Sequence, residues 1–242
     1  MRKKDFVVRF AGEGGQGVVT SAELLAQVTA QAGYHVQTFT TFPSQIMGGP
    51  TWAQSRISTE PVLSSGDDLD VLVAFNREAY EAHRSEVQEG GVIIYNSGDF
   101  QIEDDGHGLG IPVEELARST GNLRAANMVI LGAIAHLVSM PEEYLPGFVR
   151  KRFSRGRAGD DEIVRANIMA LSLGREQARK SGFNLGEVGR KNLKTLWLRG
   201  GFPRSYLAPD DMAASEWRES FVRTFLERDL PQLGLSIPPM TL

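Results

Sequence analysis

The chain contains no cysteine, and that absence removes more chemistry than any other feature of its composition. Without thiolates there are no disulfides, no thiol nucleophile and no protein ligands for an iron–sulfur cluster. Histidine is nearly as scarce. His35, His83, His107 and His136 are the only ones, and no two stand at metal-ligand spacing, so each reads as a surface or packed side chain. No apolar run approaches the roughly 18 residues that span a bilayer, and MRKKDFVVRF passes from basic residues straight into a β-rich stretch. Neither sign of charge dominates: 26 basic against 30 acidic side chains leave −4, which gives no electrostatic reason to expect nucleic acid or an anionic membrane as partner. The expectation is a cytoplasmic globular chain, one α/β domain or a domain with an appendage.

What is present begins at Phe6 to Gly17, FVVRFAGEGGQG, running into VVTSAELLAQVTAQAG. A β-rich run ends in a glycine-dense turn, and Val18, Leu24, Leu25 and Val28 then recur at roughly helical spacing. Gly12, Gly14 and Gly17 have the spacing of the dinucleotide fingerprint, and Gly15 and Gln16 make the turn barer still. Such a turn lets a ligand approach the backbone, and the N–H groups of the new helix favour a phosphate or carboxylate. A purely structural turn, present so that the helix packs closely on its strand, is the competing reading. A nicotinamide site would also want an acid roughly 20 residues on. Here the second strand, His35 to Phe39, ends in Thr40, Thr41 and Phe42, with no acid.

The next segment, TTFPSQIMGGPTWAQSRIS, reads as a loop punctuated by Pro43, Gly48-Gly49 and Pro50. A half-exposed strand follows from Thr51 to Ile57, alternating Trp52, Gln54 and Arg56 against Ala53, Ser55 and Ile57. A loop at the carboxyl edge of an open sheet is expected to hang over the glycine turn. Further strands are expected at Leu69 to Phe75, Gly91 to Tyr95 and Ile111 to Val113, with EAYEAHRSEV helical between the first two. This alternation implies parallel crossovers and an α/β fold with a doubly wound, mostly parallel sheet, three-layered and Rossmann-like. Helices follow at Asn122 to Met140, where Gly132 implies close packing, at Glu142 to Phe153, and at Asp161 to Ser181 with Ile163, Ile168, Leu171 and Leu173 inward. Asn76 and Asn127, at a strand end and near a helix start, read as capping or loop amides. The compact domain is expected over residues 1–182. Residues 183–242 read as a linker and helical tail, with Trp217, Phe221, Phe225 and Leu226 on one stripe of a helix from Ser215 to Leu230.

The two glycine-bearing stretches together, with LVAFN, GGVIIYNS, NLRAANMVILGAI and RANIMALSLG, resemble the gamma subunit or gamma domain of 2-oxoacid:ferredoxin oxidoreductases, the pyruvate and 2-oxoglutarate family, over about residues 5 to 182. Met47 stands where many relatives have a basic residue, so the resemblance implies no cationic anion contact there. It implies a component of an enzyme that converts a 2-oxoacid, coenzyme A and oxidised ferredoxin to acyl-CoA, carbon dioxide and reduced ferredoxin. Thiamine diphosphate, magnesium and the iron–sulfur clusters would belong to alpha and beta partner subunits. This chain would contribute subunit contacts and a surface for the coenzyme A diphosphate. Gly12, Gly14, Gly15, Gln16 and Gly17 would supply backbone N–H groups, and Thr41, Ser44, Gly48 and Gly49 would close over the ligand. No catalytic residue and no metal ligand is expected here. The last 50 or so residues resemble an internal segment of a bacterial P-loop ATPase family, but no G-x-x-x-x-G-K-[ST] occurs, so ATPase activity does not follow. Two other readings stay open: a stand-alone nucleotide-binding protein using flavin or nicotinamide, and a pure interaction module with a structural turn.

Overall fold

The structure is a computed structural model and describes residues 2–41, 49–103, 106–188 and 208–224. Its centre is a six-stranded sheet, built around β2 (Asp5–Glu13). The other strands are β3 (His35–Thr41), β4 (Pro50–Ser58), β5 (Leu69–Ala74), β6 (Val87–Asn96) and β7 (Gly108–Ile111), in the order β3-β4-β2-β5-β6-β7. β2, β5, β6 and β7 pair in parallel. β4 is antiparallel to both β2 and β3. The fold is therefore α/β with a mostly parallel sheet, and the crossover expected between β2 and its neighbour is interrupted by an inserted antiparallel strand.

Alternation along β2 shows why both faces need cover. Phe6, Val8 and Phe10 join one core and Val7 and Ala11 the other, as the two-residue period of a strand requires. The first core is the larger, and it takes in side chains of α1 (Val18–Gln31), α4 (Ala126–Leu137), α5 (Tyr144–Phe153) and α6 (Asp160–Ser181). The second is closed by α2 (Arg77–His83), whose Ala79 and Tyr80 are buried. Val113, expected in a strand, instead opens the short helix α3 (Val113–Ser119). β4 is buried rather than half-exposed, because it lies between two strands. Gln54 is 2% exposed, and its amide is satisfied by Arg9 Nε at 2.8 Å and by the carbonyls of Ser65 and Gly66.

Helices α4 and α6 touch backbone to backbone. A Cβ on Gly132 would lie 2.0 Å from the Leu171 carbonyl oxygen, and one on Gly174 1.8 Å from that of Val129. This approach sets the rotation of α6. Val164, Ala170, Leu171 and Ala178 face the core, whereas Ile163, expected inward, is 41% exposed.

The chain divides into two units, Met1–Gly189 and Arg190–Leu242. The expected boundary at Gly182 falls inside the first. Phe183 and Leu185 pack on the core, Leu185 N–H donates to the Leu137 carbonyl at 2.8 Å, and β8 (Glu187–Val188) pairs in parallel with β1 (Arg2–Lys3). In the second unit α7 (Asp211–Thr224) starts earlier than expected because the Asp210 carboxylate accepts the Ala213 N–H. Trp217 and Phe221 stack with ring centroids 5.2 Å apart, while Phe225 and Leu226 lie outside the described residues.

Candidate functional site

The carboxyl end of β2 turns sharply into α1, and three glycines make the turn possible for different reasons. Gly12 has no room for a side chain: its Cβ would meet Gln16 Oε1 at 2.6 Å and Phe75 Cβ at 2.8 Å. Gly15 has open space but a φ of +98°, which only glycine adopts without strain. Gly17 combines both constraints, with φ +91° and the Asn127 side-chain amide 2.6 Å from where a Cβ would stand.

The hydrogen bonds of the turn divide its backbone into committed and uncommitted donors. Gln16 N–H donates to the Glu13 carbonyl, and Gln16 Oε1 accepts from Glu13 N–H at 2.8 Å and from Asn76 Nδ2 at 3.2 Å. Gln16 is therefore a brace inside the turn, and its own N–H is occupied. Gly14 N–H reaches the Gly49 carbonyl at 3.4 Å. Among the described residues, no acceptor meets the N–H groups of Gly15, Gly17, Val18, Val19 or Thr20. The helix end carries no side-chain cap and no acid in its first turn, so its positive dipole end is not neutralised from within. Residues 13–16 are exposed. This arrangement fits a negatively charged group.

The second glycine stretch arrives beside the first through sheet register. Glu13 pairs with Pro50 and Gly12 with Thr51, which puts Gly49, at φ +90°, next to the turn. Thr41 stands at the same sheet edge, opposite Trp52, and its hydroxyl is engaged with both the N–H and the carbonyl of that residue at 3.2 Å. Ser44 and Gly48 lie outside the described residues.

Sequence reasoning did not assemble the small crevice beside the turn. It has a volume of about 100 Å³ at the ends of β5 and β6, with Gln16, Asn96, Asp99, Glu114 and Asn127 in its wall. Buried Asn96 organises it: Nδ2 donates to Asp99 and Glu114, each at 2.7 Å, and Oδ1 accepts from the N–H groups of Gly98 and Val113. The only signal was the position of Asn96 at a strand end. Asn76 does cap α2, accepting the Ala79 N–H at 2.8 Å, while Asn127 packs against Gly17.

Comparison with known proteins bears directly on this region. Residues 7–177 match the family model described as pyruvate ferredoxin/flavodoxin oxidoreductase. The chain belongs to that family. Ketoisovalerate oxidoreductase subunit VorA of Methanothermobacter marburgensis is 34% identical over 72% of this chain and 37% of its own length. Pyruvate synthase subunit PorC of Methanothermobacter thermautotrophicus is 31% identical over 66% of this chain and 97% of its own. Among solved structures, 2-oxoglutarate:ferredoxin oxidoreductase from Magnetococcus marinus, with 2-oxoglutarate, coenzyme A and succinyl-CoA bound, superimposes with a TM-score of 0.69 at 29% identity, covering 99% of this chain and 44% of that one. This chain thus spans only about a third of VorA but nearly all of PorC, and the two relatives are named as subunits, one of a ketoisovalerate oxidoreductase and one of a pyruvate synthase. Residues 190–242 match a separate model described as a domain of unknown function. No helix among the described residues is long and apolar enough to cross a membrane.

Proposed function

We propose that the chain is the gamma component of a multisubunit 2-oxoacid:ferredoxin oxidoreductase, and that the turn between β2 and α1 receives the diphosphate of coenzyme A. The observation that carries the reading is the row of uncommitted N–H groups at Gly15, Gly17, Val18, Val19 and Thr20, on an uncapped helix end that opens from an exposed turn. Gly15 and Gly17 would admit the phosphate oxygens to the backbone, Gln16 and Asn76 would hold the turn open, and the segment ending in Gly49 would close one side. Thr41, Ser44 and Gly48 complete the proposed wall. Bound there, coenzyme A supplies the thiol that accepts an acyl group. This chain's residues bind and orient its distant end, which is positioning rather than bond-making. Gly12, where no side chain fits, shapes the turn that presents these N–H groups.

Alpha and beta companions would hold the thiamine diphosphate, magnesium and iron–sulfur clusters, because a chain without cysteine cannot ligate the clusters itself. The purified chain with thiamine diphosphate and any 2-oxoacid is expected to show no decarboxylation. Calorimetric titration with coenzyme A, of the chain alone and in its complex, tests the binding role. Heat and a thermal shift with coenzyme A, weakened about tenfold or more by Gly17→Ala, are expected. Silence in both preparations sinks the coenzyme assignment.

A further inference from the structure

Outside the turn, exposed apolar and basic side chains of the first unit meet at one groove. It has a volume of about 660 Å³ and lies between the segment 120–124, the end of α5 and the first half of α6. Its apolar floor includes Phe153, Ile163 and Met169, the last two 41% and 48% exposed. Ile163, Ala166 and Met169 follow one another at three-residue intervals along α6, a stripe of the kind that receives a helix. Exposed apolar side chains grouped in one groove mark a contact surface more often than singly scattered ones do.

The rim is basic. Arg124 and Arg165 line the groove, with Glu162 as the one carboxylate in its wall among the described residues. The last turn of α5, next to the groove-lining Phe153, and the chain beyond it carry Arg150, Lys151, Arg152, Arg155 and Arg157, all exposed, and no carboxylate among the described residues lies in salt-bridge range of any of them. The last turn of α5 accommodates cations because its carbonyl end is negative, which accounts for Arg150 to Arg152. It does not account for Arg155 and Arg157, which lie beyond the helix. Nor does composition, since the whole chain carries −4. Asp160, three residues beyond Arg157, accepts the backbone N–H groups of Arg157 and Arg155, and both arginine residues stay exposed.

We infer that this groove is a docking surface for an acidic amphipathic helix of a companion oxidoreductase subunit, whose apolar anchors lie on Ile163 and Met169 while its carboxylates meet the arginine rim. The identity of the companion rests on the proposed function; the chemistry of the groove does not. A phosphate backbone would satisfy the rim but leave the apolar floor wet, and that favours protein over nucleic acid.

The test uses the complex recovered by a tag on the full chain, beside the chain alone. Peroxide oxidation of Met169, followed by mass spectrometry, is expected to slow about tenfold or more in the complex. Reversing the rim with Arg124→Glu and Arg165→Glu, both exposed, is expected to weaken assembly about tenfold at low salt and to flatten its salt dependence. Ile163→Asp should weaken assembly at every salt concentration. These side chains are exposed, so Tm should stay unchanged and loss of assembly will not reflect misfolding. A complex in which Met169 oxidises as fast as in the free chain overturns the groove and leaves the proposed function standing. So does unchanged assembly of the double arginine variant, or protection of Met169 only by added duplex DNA or anionic vesicles. Recovery of no thiamine-dependent, cysteine-rich companion overturns both.

Discussion

At the scale of single residues, the glycines of the turn separate two effects that a sequence motif merges. Gly15→Ala meets no neighbour within 4 Å, so its cost is the left-handed backbone alone, about 1–2 kcal/mol. Gly17→Ala adds a collision with the Asn127 amide, and about 1–3 kcal/mol of strain in that position must be relieved by moving α4 or the turn. Urea unfolding of the two variants is expected to rank Gly17→Ala as the more damaging; equal losses would mean that Asn127 yields freely. Asp160 gives a residue-scale prediction of a different kind. The N–H groups of Arg157 and then Arg155 donate to its carboxylate and hold its pKa below the ordinary aspartate value. Because the folded pKa is depressed, the stabilisation is complete above the unfolded value and is lost as pH falls through it toward the folded one. Tm measured from pH 5 down to pH 2 should fall less steeply for Asp160→Asn than for the parent chain, and parallel profiles would remove Asp160 from the account.

At the scale of elements, the α4–α6 contact is the sharpest constraint in the fold. Gly132 and Gly174 each sit on the other helix's carbonyl, so either alanine substitution forces the helices apart and opens the core between them. A loss of about 3 kcal/mol or more is expected for Gly132→Ala and for Gly174→Ala, with a double variant losing less than the sum, since one separation relieves both clashes. Chemical denaturation of the three variants checks this. Half of this contact was legible: Gly132 interrupts an apolar helical run and so implies a close neighbour, whereas Gly174 lies in a polar helix where nothing local marks it. The same division runs through the sheet. The strand, glycine turn and helix at the chain's start are local patterns and read directly. The insertion of β4 between β2 and β3 is a long-range pairing, and it buries Gln54 and Ser55 that the local alternation assigns to a half-exposed strand. The crevice around Asn96 likewise gathers side chains from separate segments, which no spacing rule connects.

At the scale of the whole molecule, the family resemblance covers less than the folded unit. The family match ends at residue 177 and α6 at Ser181, yet the chain continues to work for the first unit up to Gly189. Phe183 and Leu185 cover part of the apolar core, Leu185 ties its N–H to the C-terminal residue of α4, and β8 supplies the strand that pairs with β1 at the opposite end of the sequence. These contacts bring the two ends of the unit together and close it, whereas residues 190–242 match a different family model. A fragment of residues 1–189 is therefore expected to unfold in one transition with a midpoint close to that of the same unit in the full chain. A fragment of residues 1–182 exposes apolar core and leaves the Leu137 carbonyl without its partner, for an expected loss of about 2–4 kcal/mol. Urea denaturation followed by far-UV circular dichroism distinguishes them. Equal midpoints for the two fragments would mean that residues 183–189 contribute nothing to the unit, and that the closing strand pair is an incidental contact of the chain ends.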